Sequence, residues 1–193
     1  WDTAAGVSFV RGGTQQLRAA EQRGSFSVDE RVGSRCTDQT VQSVAVSGAS
    51  VLISGRVSGD PRCESEYRLS FRQVRTGHLQ FTLRFANPAV NLSELVYASD
   101  PSERIFGFGE QFTILNMKGQ QVPILSQEGG VGRGLPVVTD LTNLIAPGSG
   151  GSPLTTYYAV PHYLTSRNRS LMLENPEYSV FDLRDPGQIR ARV

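Results

Sequence analysis

The clearest pattern in the chain is a pair of segments in which apolar and polar residues alternate. Residues 66–74 alternate in this way, and residues 78–85 repeat the alternation after a turn at Thr76 and Gly77. Such strands bury one face and expose the other, which is typical of an antiparallel hairpin. The arginines on the polar side are therefore expected to form a solvated sheet face.

Shorter segments of the same kind occur along the rest of the chain, and nothing supports a long amphipathic helix. We predict further strands at residues 40–46, 50–57, 112–115, 154–160, 170–174 and 178–183. Two segments rich in Gly, Pro, Ser, Asn or Thr, residues 87–103 and 134–153, are predicted to be loops, the second being the longest irregular segment. The pattern predicts an all-β fold, a two-sheet antiparallel β-sandwich.

Composition fits this interpretation and excludes several classes of protein. The 193 residues are 38% hydrophobic and include 20 glycines and 10 prolines, which suits a loop-rich β domain. With 19 basic against 18 acidic residues and no basic cluster evident along one face, no nucleic-acid partner is predicted. No apolar run is long enough for a membrane span. The chain begins at Trp1 without a visible signal peptide, so we expect a processed or partial polypeptide.

The cysteines and histidines do not form a metal site. Cys36 and Cys63 are 27 positions apart and could form one disulfide in a secreted protein, or they could be two reduced, partly buried thiols. The sequence leaves both alternatives open. His78 and His162 do not add ligand spacing to the two cysteines, so no metal and no cofactor are predicted.

The candidate site lies in residues 104–133, where glycine-rich turns separate short apolar segments. The motifs are Gly107-Phe-Gly-Glu-Gln-Phe112, then Lys118-Gly with Pro123, then Gln127-Glu-Gly-Gly-Val-Gly-Arg133. Glycine lets the backbone turn sharply and lets another surface approach closely. Polar side chains on such loops are typical of binding surfaces. The candidate polar residues are Glu110, Gln111, Gln127, Glu128 and Arg133.

These motifs, in this order, resemble the N-terminal β-sandwich domain of glycoside hydrolase family 31, and in particular its branch of bacterial sulfoquinovosidases and related α-glucosidases. The resemblance runs from about residue 103 to residue 183 and includes Leu171-Met-Leu-Glu-Asn175. One departure is Gly129, where the family usually has Gln, which removes one potential hydrogen bond to substrate. The resemblance implies a galactose-mutarotase-like sandwich that precedes a (β/α)8 barrel.

The same resemblance sets the expected domain organisation. We expect one β-sandwich domain over residues 1–193, with its first strands in 1–100, its motif-bearing loops in 101–153 and its closing strands in 154–193. The sequence then stops before the expected barrel.

No catalytic residue is predicted in this chain. A retaining glycosidase of this kind carries its two catalytic carboxylates on the barrel strands. Asp140, Asp182 and Asp185 lie outside the family's motifs and cannot be assigned that role. The chain alone is therefore expected to be inactive.

The resemblance also suggests roles for the candidate polar residues. Glu128 and Arg133, supported by Gln127, are expected to lie on a loop that forms a wall of the barrel's sugar pocket. Alternatively, Glu128 and Arg133 bridge to each other or to the barrel and never contact substrate. Glu110 and Gln111 are expected to bond the turn backbones beneath that loop.

The predicted function is the N-terminal non-catalytic domain of a retaining α-glycosidase acting on an α-glucoside or a sulfoquinovoside. Its expected partners are the barrel of the same protein, a carbohydrate bound through that barrel, and other proteins of an assembly. The alternative is a structural or glycan- or protein-binding β-sandwich module of a larger extracellular assembly. A free-standing mutarotase-like enzyme is disfavoured because a His and carboxylate pair is lacking. The expected location is extracellular or a secretory lumen, with the cytoplasm as the alternative.

Overall fold

The computed structural model describes residue 3, residues 6–22 and residues 24–193, and for residue 25 it describes the backbone alone. The strands are β1 (Val10–Gln22), β2 (Ser25–Cys36), β3 (Asp38–Ser47), β4 (Ser50–Ser58), β5 (Ser65–Arg75), β6 (His78–Phe85), β7 (Leu92–Ala98), β8 (Ile105–Gly109), β9 (Gln121–Ile124), β10 (Ala159–Thr165), β11 (Ser170–Met172), β12 (Ser179–Asp182) and β13 (Gln188–Arg192). Helix α1 (Val138–Ile145) lies between β9 and β10 in the chain. Strands and bridges make up 53% of the described residues and the sheets are antiparallel, which confirms the predicted all-β class.

The described chain divides into two compact units. Of the described residues, the loop unit contains residue 3, residues 17–22, residues 24–30 and Tyr97–Val193. The disulfide unit contains residues 6–16 and Arg31–Val96. Residues 1, 2, 4, 5 and 23 of the predicted single domain lie outside the described residues. The boundaries of that domain stay a prediction.

The sheet of the disulfide unit runs in the order β3-β4-β5-β6. In the hairpin formed by β5 and β6, Leu69 lies opposite Leu83 and Tyr67 opposite Phe85, as the alternation predicts. Gly77 has a φ of 73° at the turn, a conformation that glycine adopts without strain. The predicted hairpin is therefore confirmed.

The core of the disulfide unit packs around the two cysteines. Cys36 and Cys63 form a disulfide with their Cα atoms 5.9 Å apart, and both side chains are fully buried. Of the two alternatives that the sequence leaves open, the structure has the disulfide. Val10 pairs with Leu95 across β1 and β7, and both belong to this core.

The core of the loop unit contains three aromatic rings in tilted and edge-to-face contact. The strands of this unit pair in the orders β13-β12-β9 and β11-β10-β8. The ring of Phe108 lies 5.7 Å from that of Tyr163 and 5.1 Å from that of Phe181, between ring centroids. All three side chains are buried. The candidate motif that contains Phe108 is thus anchored by its aromatic residue in the core.

Several predictions from the sequence are wrong. Of the strand predicted at residues 154–160, only residues 159 and 160 lie in a strand, because β10 spans Ala159–Thr165. Residues 87–103 are not simply a loop, because they contain β7 with Leu92, Leu95, Val96 and Tyr97 buried. The prediction of a loop rested on the Asn-Pro and Ser-Asp-Pro turns that flank this strand, and not on the apolar residues between them. Residues 112–115 do not form a strand, and Phe112 and Leu115 are exposed.

A cluster of charged side chains fixes the chain just before β8. The buried carboxylate of Glu103 accepts hydrogen bonds from Arg169 Nη2 at 2.5 Å and from Ser99 Oγ at 2.9 Å. Lys118 Nζ donates to Ser99 Oγ at 2.6 Å. Burial opposes the ionisation of Glu103, but these hydrogen bonds outweigh it and lower its pKa to about 2. Burial also lowers the pKa of Lys118.

Candidate functional site

The loop that carries three of the predicted site residues, residues 126–133, is called the site loop. Its backbone is tied to neighbouring segments of the loop unit, since the N–H of Gln127 donates to Thr156 O at 3.0 Å and that of Arg133 to Gly150 O at 3.1 Å. Gly130 is buried with a φ of 88°, and a Cβ placed there would lie 3.0 Å from Arg133 Nη1. Glycine at this position therefore allows the loop to turn beneath the Arg133 side chain.

Gln127 holds the site loop against strand β2. Its Oε1 accepts a hydrogen bond from the N–H of Phe26 at 3.2 Å, and its Nε2 donates to Thr155 Oγ1 at 3.2 Å. Both ends of the amide are thus used within the chain. The supporting role expected for Gln127 towards a sugar pocket stays a prediction.

Arg133 is clamped by aromatic rings. Its guanidinium carbon lies 4.0 Å from the ring centroid of Phe112 and 5.5 Å from that of Tyr157. Its Nη1 donates to the carbonyl oxygen of Thr155. Arginine stacked on aromatic faces gains a cation–π attraction that grows as water is excluded. The clamp joins the site loop to the segments around residues 112 and 157.

Glu128 lies on the exposed side of the site loop. Its N–H donates to Gly24 O at 2.8 Å, and its methylene groups cover Gly24, where an added Cβ would come within 2.5 Å of Glu128 Cγ. The ion pairs among the described residues do not join Glu128 to Arg133. The two candidates therefore face different neighbours within this chain.

Glu110 and Gln111, the two predicted loop-supporting residues, are held differently. Gln111 Nε2 donates to the carbonyl oxygen of Phe108 at 3.1 Å. Glu110 is held by its backbone, since its N–H donates to Tyr158 O at 2.9 Å and its carbonyl oxygen accepts from the Thr156 hydroxyl. The residue is exposed. Its carboxylate is thus placed towards solvent.

An open pocket of about 490 Å³ lies beside the site loop within the loop unit. It is lined by Phe26, Gln127, Asn143, Ser152 and Thr155, among others. Phe26 is 40% exposed and offers an apolar ring among polar groups. The sequence pattern did not single out Phe26 or Asn143, because they lie far from the motifs along the chain.

The segment at residues 134–153, predicted to be irregular, contains helix α1 with its polar side turned inward. Asn143 Oδ1 accepts from Gly150 N–H at 2.9 Å, and Thr139 Oγ1 accepts from Gly134 N–H at 2.9 Å. The apolar residues lie on the other side, called the outer helix face, and Leu144 and Ile145 are 81% and 74% exposed. Its members are Val138, Leu141, Leu144 and Ile145.

This arrangement is the reverse of an ordinary surface helix, whose apolar stripe faces the core. The spacing of residues 138, 141 and 145 is helical and could have revealed α1 in the sequence. The surrounding Gly, Ser and Pro residues hid that signal. Exposed apolar patches of this kind mark surfaces that contact another macromolecule.

Within the described residues, no group of three or more His, Cys, Asp or Glu side chains is arranged to hold a metal ion. The helix of this part of the chain is too short to cross a bilayer.

Comparison with known proteins connects this geometry to one family. The model of the glycosyl hydrolase 31 N-terminal galactose mutarotase-like domain matches residues 6–182. The sulfoquinovosidase of Agrobacterium fabrum (strain C58 / ATCC 33970) is 29% identical over 163 residues, which are 84% of this chain and 23% of that protein. The sulfoquinovosidase of Escherichia coli (strain K12) is 27% identical over 110 residues, 57% of this chain and 16% of that protein.

A solved structure shows the same fold. A family GH31 sulfoquinovosidase from E. rectale, in complex with an aza-sugar inhibitor, matches with a TM-score of 0.82 and 21% identity. The match covers 96% of this chain and 26% of that chain. This chain thus spans roughly a quarter or less of the length of the relatives it matches.

Proposed function

The chain belongs to the glycosyl hydrolase 31 N-terminal galactose mutarotase-like domain family, and on this premise we propose that it is the non-catalytic N-terminal domain of a retaining α-glycosidase. Two curated relatives are sulfoquinovosidases, which favours a sulfoquinovoside over a neutral α-glucoside as the substrate of the whole enzyme. The catalytic carboxylates would come from a (β/α)8 barrel. This chain would contribute one wall of the sugar pocket.

The observation that carries this proposal is the clamped site loop. Arg133 is fixed between Phe112 and Tyr157, so the loop has a defined shape before any sugar binds. Glu128 is exposed on that loop. A carboxylate on a loop of defined shape can accept hydrogen bonds from sugar hydroxyls without the cost of ordering that loop. We assign Glu128 a substrate-binding role, and Arg133 acts as a positioning residue.

The outer helix face supports a large partner surface in the same protein. Leu144 and Ile145 on this face are 81% and 74% exposed. Burying such side chains is favourable by roughly 1.5–3 kcal/mol each. We assign this apolar surface to contact with the catalytic barrel.

The test uses the complete polypeptide, whose length is established first by intact mass and peptide mapping beyond Val193. Hydrolysis of an aryl sulfoquinovoside and an aryl α-glucoside is then compared for the wild type, Glu128→Gln and the control Glu174→Gln. Glu174 is exposed and lies outside the site loop. We expect Glu128→Gln to raise KM with a smaller change in kcat, because it removes a binding contact rather than a reacting group.

Either of two outcomes would overturn the proposal. If native protein ends near Val193 and no barrel chain accompanies it, the chain is a binding or structural module. If Glu128→Gln matches Glu174→Gln in KM and kcat for both substrates, Glu128 does not contact substrate.

The disulfide supports a proposal about location. Disulfides persist in oxidising compartments and are rare in the cytoplasm. Because Cys36 and Cys63 are joined in the core, we assign the chain to an extracellular or secretory-lumen compartment.

A further inference from the structure

The outward side of the sheet in the disulfide unit carries three arginines that form no ion pair with other described residues, here called the arginine face: Arg68, Arg72 and Arg84. Arg68 on β5 lies directly opposite Arg84 on β6. Arg72, four residues along β5, lies opposite Gln80 and donates to its Oε1 at 2.8 Å. All three arginines are exposed.

The cross-strand partners of Arg68 on β4 and of Ser70 on β4 and β6 are uncharged, and the carboxylate-bearing residue on this face next to Arg68 along β5 is Glu66. The partner of Arg68 on β4 is Ser54, the partner of Ser70 on β6 is Thr82, and the partner of Ser70 on β4 is Leu52. Among the ion pairs of the described residues, none includes Arg68, Arg72 or Arg84. The three arginines therefore form no ion pair with the described residues.

The next row of the same sheet shows a different arrangement. Arg56 lies opposite Glu66 and forms an ion pair with Glu64 at 2.6 Å. Like charges placed directly opposite each other on adjacent strands destabilise a sheet. Arg68 and Arg84 form such a like-charge pair, whereas Arg56 lies opposite Glu66 and pairs with Glu64. A ligand that supplies negative charge would remove this repulsion.

We propose that the arginine face binds an anionic polysaccharide whose sugar units carry sulfate or carboxylate groups. Adjacent strands lie about 4.8 Å apart, so the guanidinium groups of Arg68 and Arg84 can converge on one anionic group. Arg72 lies about 14 Å further along the strand at roughly 3.4 Å per residue. A polymer with repeated charges can reach both positions at once.

The residues between the arginines favour a polysaccharide over other polyanions. Ser54, Ser70 and Thr82 supply hydroxyl groups that bond sugar hydroxyls. The outward positions of these rows carry no aromatic ring on which a base of a single-stranded nucleic acid could stack. Leu52 is the apolar member of these rows on β4, too little for insertion into a lipid surface.

The experiment measures binding of fluorescently labelled dextran sulfate to the purified chain, with neutral dextran of equal length as the control polymer. A single-stranded oligonucleotide and polyglutamate are the competing polyanions. We expect the wild-type chain to bind dextran sulfate and not to bind neutral dextran. Its affinity for dextran sulfate should fall as the salt concentration rises.

Two sets of variants locate the binding. The variant R68Q/R72Q/R84Q is expected to bind dextran sulfate about tenfold more weakly, since each exposed ion contact contributes roughly two- to fivefold. The matched control R18Q/R35Q/R104Q removes the same charge from exposed positions outside the face and is expected to bind as the wild type does. Circular dichroism checks that both remain folded.

A single substitution separates binding from folding. Arg84→Glu places a carboxylate opposite Arg68, so we expect the melting temperature to rise while dextran sulfate binding falls. Equal losses for the two triple variants would overturn the assignment to this face. Binding of the oligonucleotide or of polyglutamate as tightly as dextran sulfate would overturn the assignment to a polysaccharide.

Discussion

The charge cluster around Glu103 allows a quantitative prediction. The carboxylate of Glu103 accepts hydrogen bonds from Arg169 and Ser99. Glu103→Gln removes its negative charge while keeping the shape of the side chain. Glu103 is 1% exposed, so water cannot replace the lost interaction on its side. We therefore expect the substitution to destabilise the loop unit.

The magnitude follows from the pKa of Glu103. A fall from the ordinary value of 4.5 to about 2 corresponds to about 3 kcal/mol of stability. The Arg169 side chain is 37% exposed, and solvent screening reduces the expected loss for Glu103→Gln to about 2 kcal/mol. Because the folded pKa lies below the ordinary value, this stability is fully present above pH 4.5 and is lost as the pH falls to about 2.

Urea unfolding followed by circular dichroism at pH 7, 5 and 3 measures this contribution, with Glu174→Gln as the exposed control. The gap between the wild type and Glu103→Gln should be about 2 kcal/mol at pH 7 and 5 and less than half of that at pH 3. Glu174→Gln should change the free energy of unfolding by less than about 0.5 kcal/mol. A gap that stays constant from pH 7 to pH 3 would refute the reasoning.

Three further predictions concern other parts of the chain. Arg133→Ala removes the stack on Phe112, so amide hydrogen exchange in the site loop should become faster, and unchanged exchange would contradict the clamp. Replacing Cys36 and Cys63 by Ser opens a loop of 27 residues and should cost about 3–4 kcal/mol in urea unfolding; a loss below 1 kcal/mol would argue against a stabilising disulfide. Leu144→Lys should reduce self-association of the isolated chain in analytical ultracentrifugation, because it places a charge on the outer helix face; a monomeric wild type would contradict this prediction.

Periodicity was a reliable guide where a strand is long and half buried. The hairpin of β5 and β6 was predicted because each strand alternates over eight or more residues, and its register follows the alternation. Strand β7 was missed because it is buried on both sides, with neighbouring Leu95, Val96 and Tyr97 all in the core. Such a strand is a short apolar run, which is ambiguous without its pairing partners.

For the candidate site, too, the sequence indicates a local segment but not the distant residues that contact it. The glycine-rich motif predicts one segment that carries Gln127, Glu128 and Arg133, and that assignment as a site stays a prediction. The partners of those residues, Phe26 and Tyr157, lie far away in the sequence and depend on the tertiary fold. A single sequence offers no signal for a cation–π contact between segments that are not adjacent. The roles of these residues toward a sugar stay predictions.

The topology of the disulfide unit has a consequence for the order in which the protein folds. Strands β3 to β6 pair with their neighbours in sequence, whereas Val10 must find Leu95 across 85 positions of chain. Contacts between distant residues form slowly because closing a long loop costs more entropy than closing a short one. We expect the β3–β6 meander to form early, and pulse-labelling hydrogen exchange during refolding should protect its amides before those of β1. The arginine face, which lies on this meander, would then be complete before the strand that closes the unit has joined it.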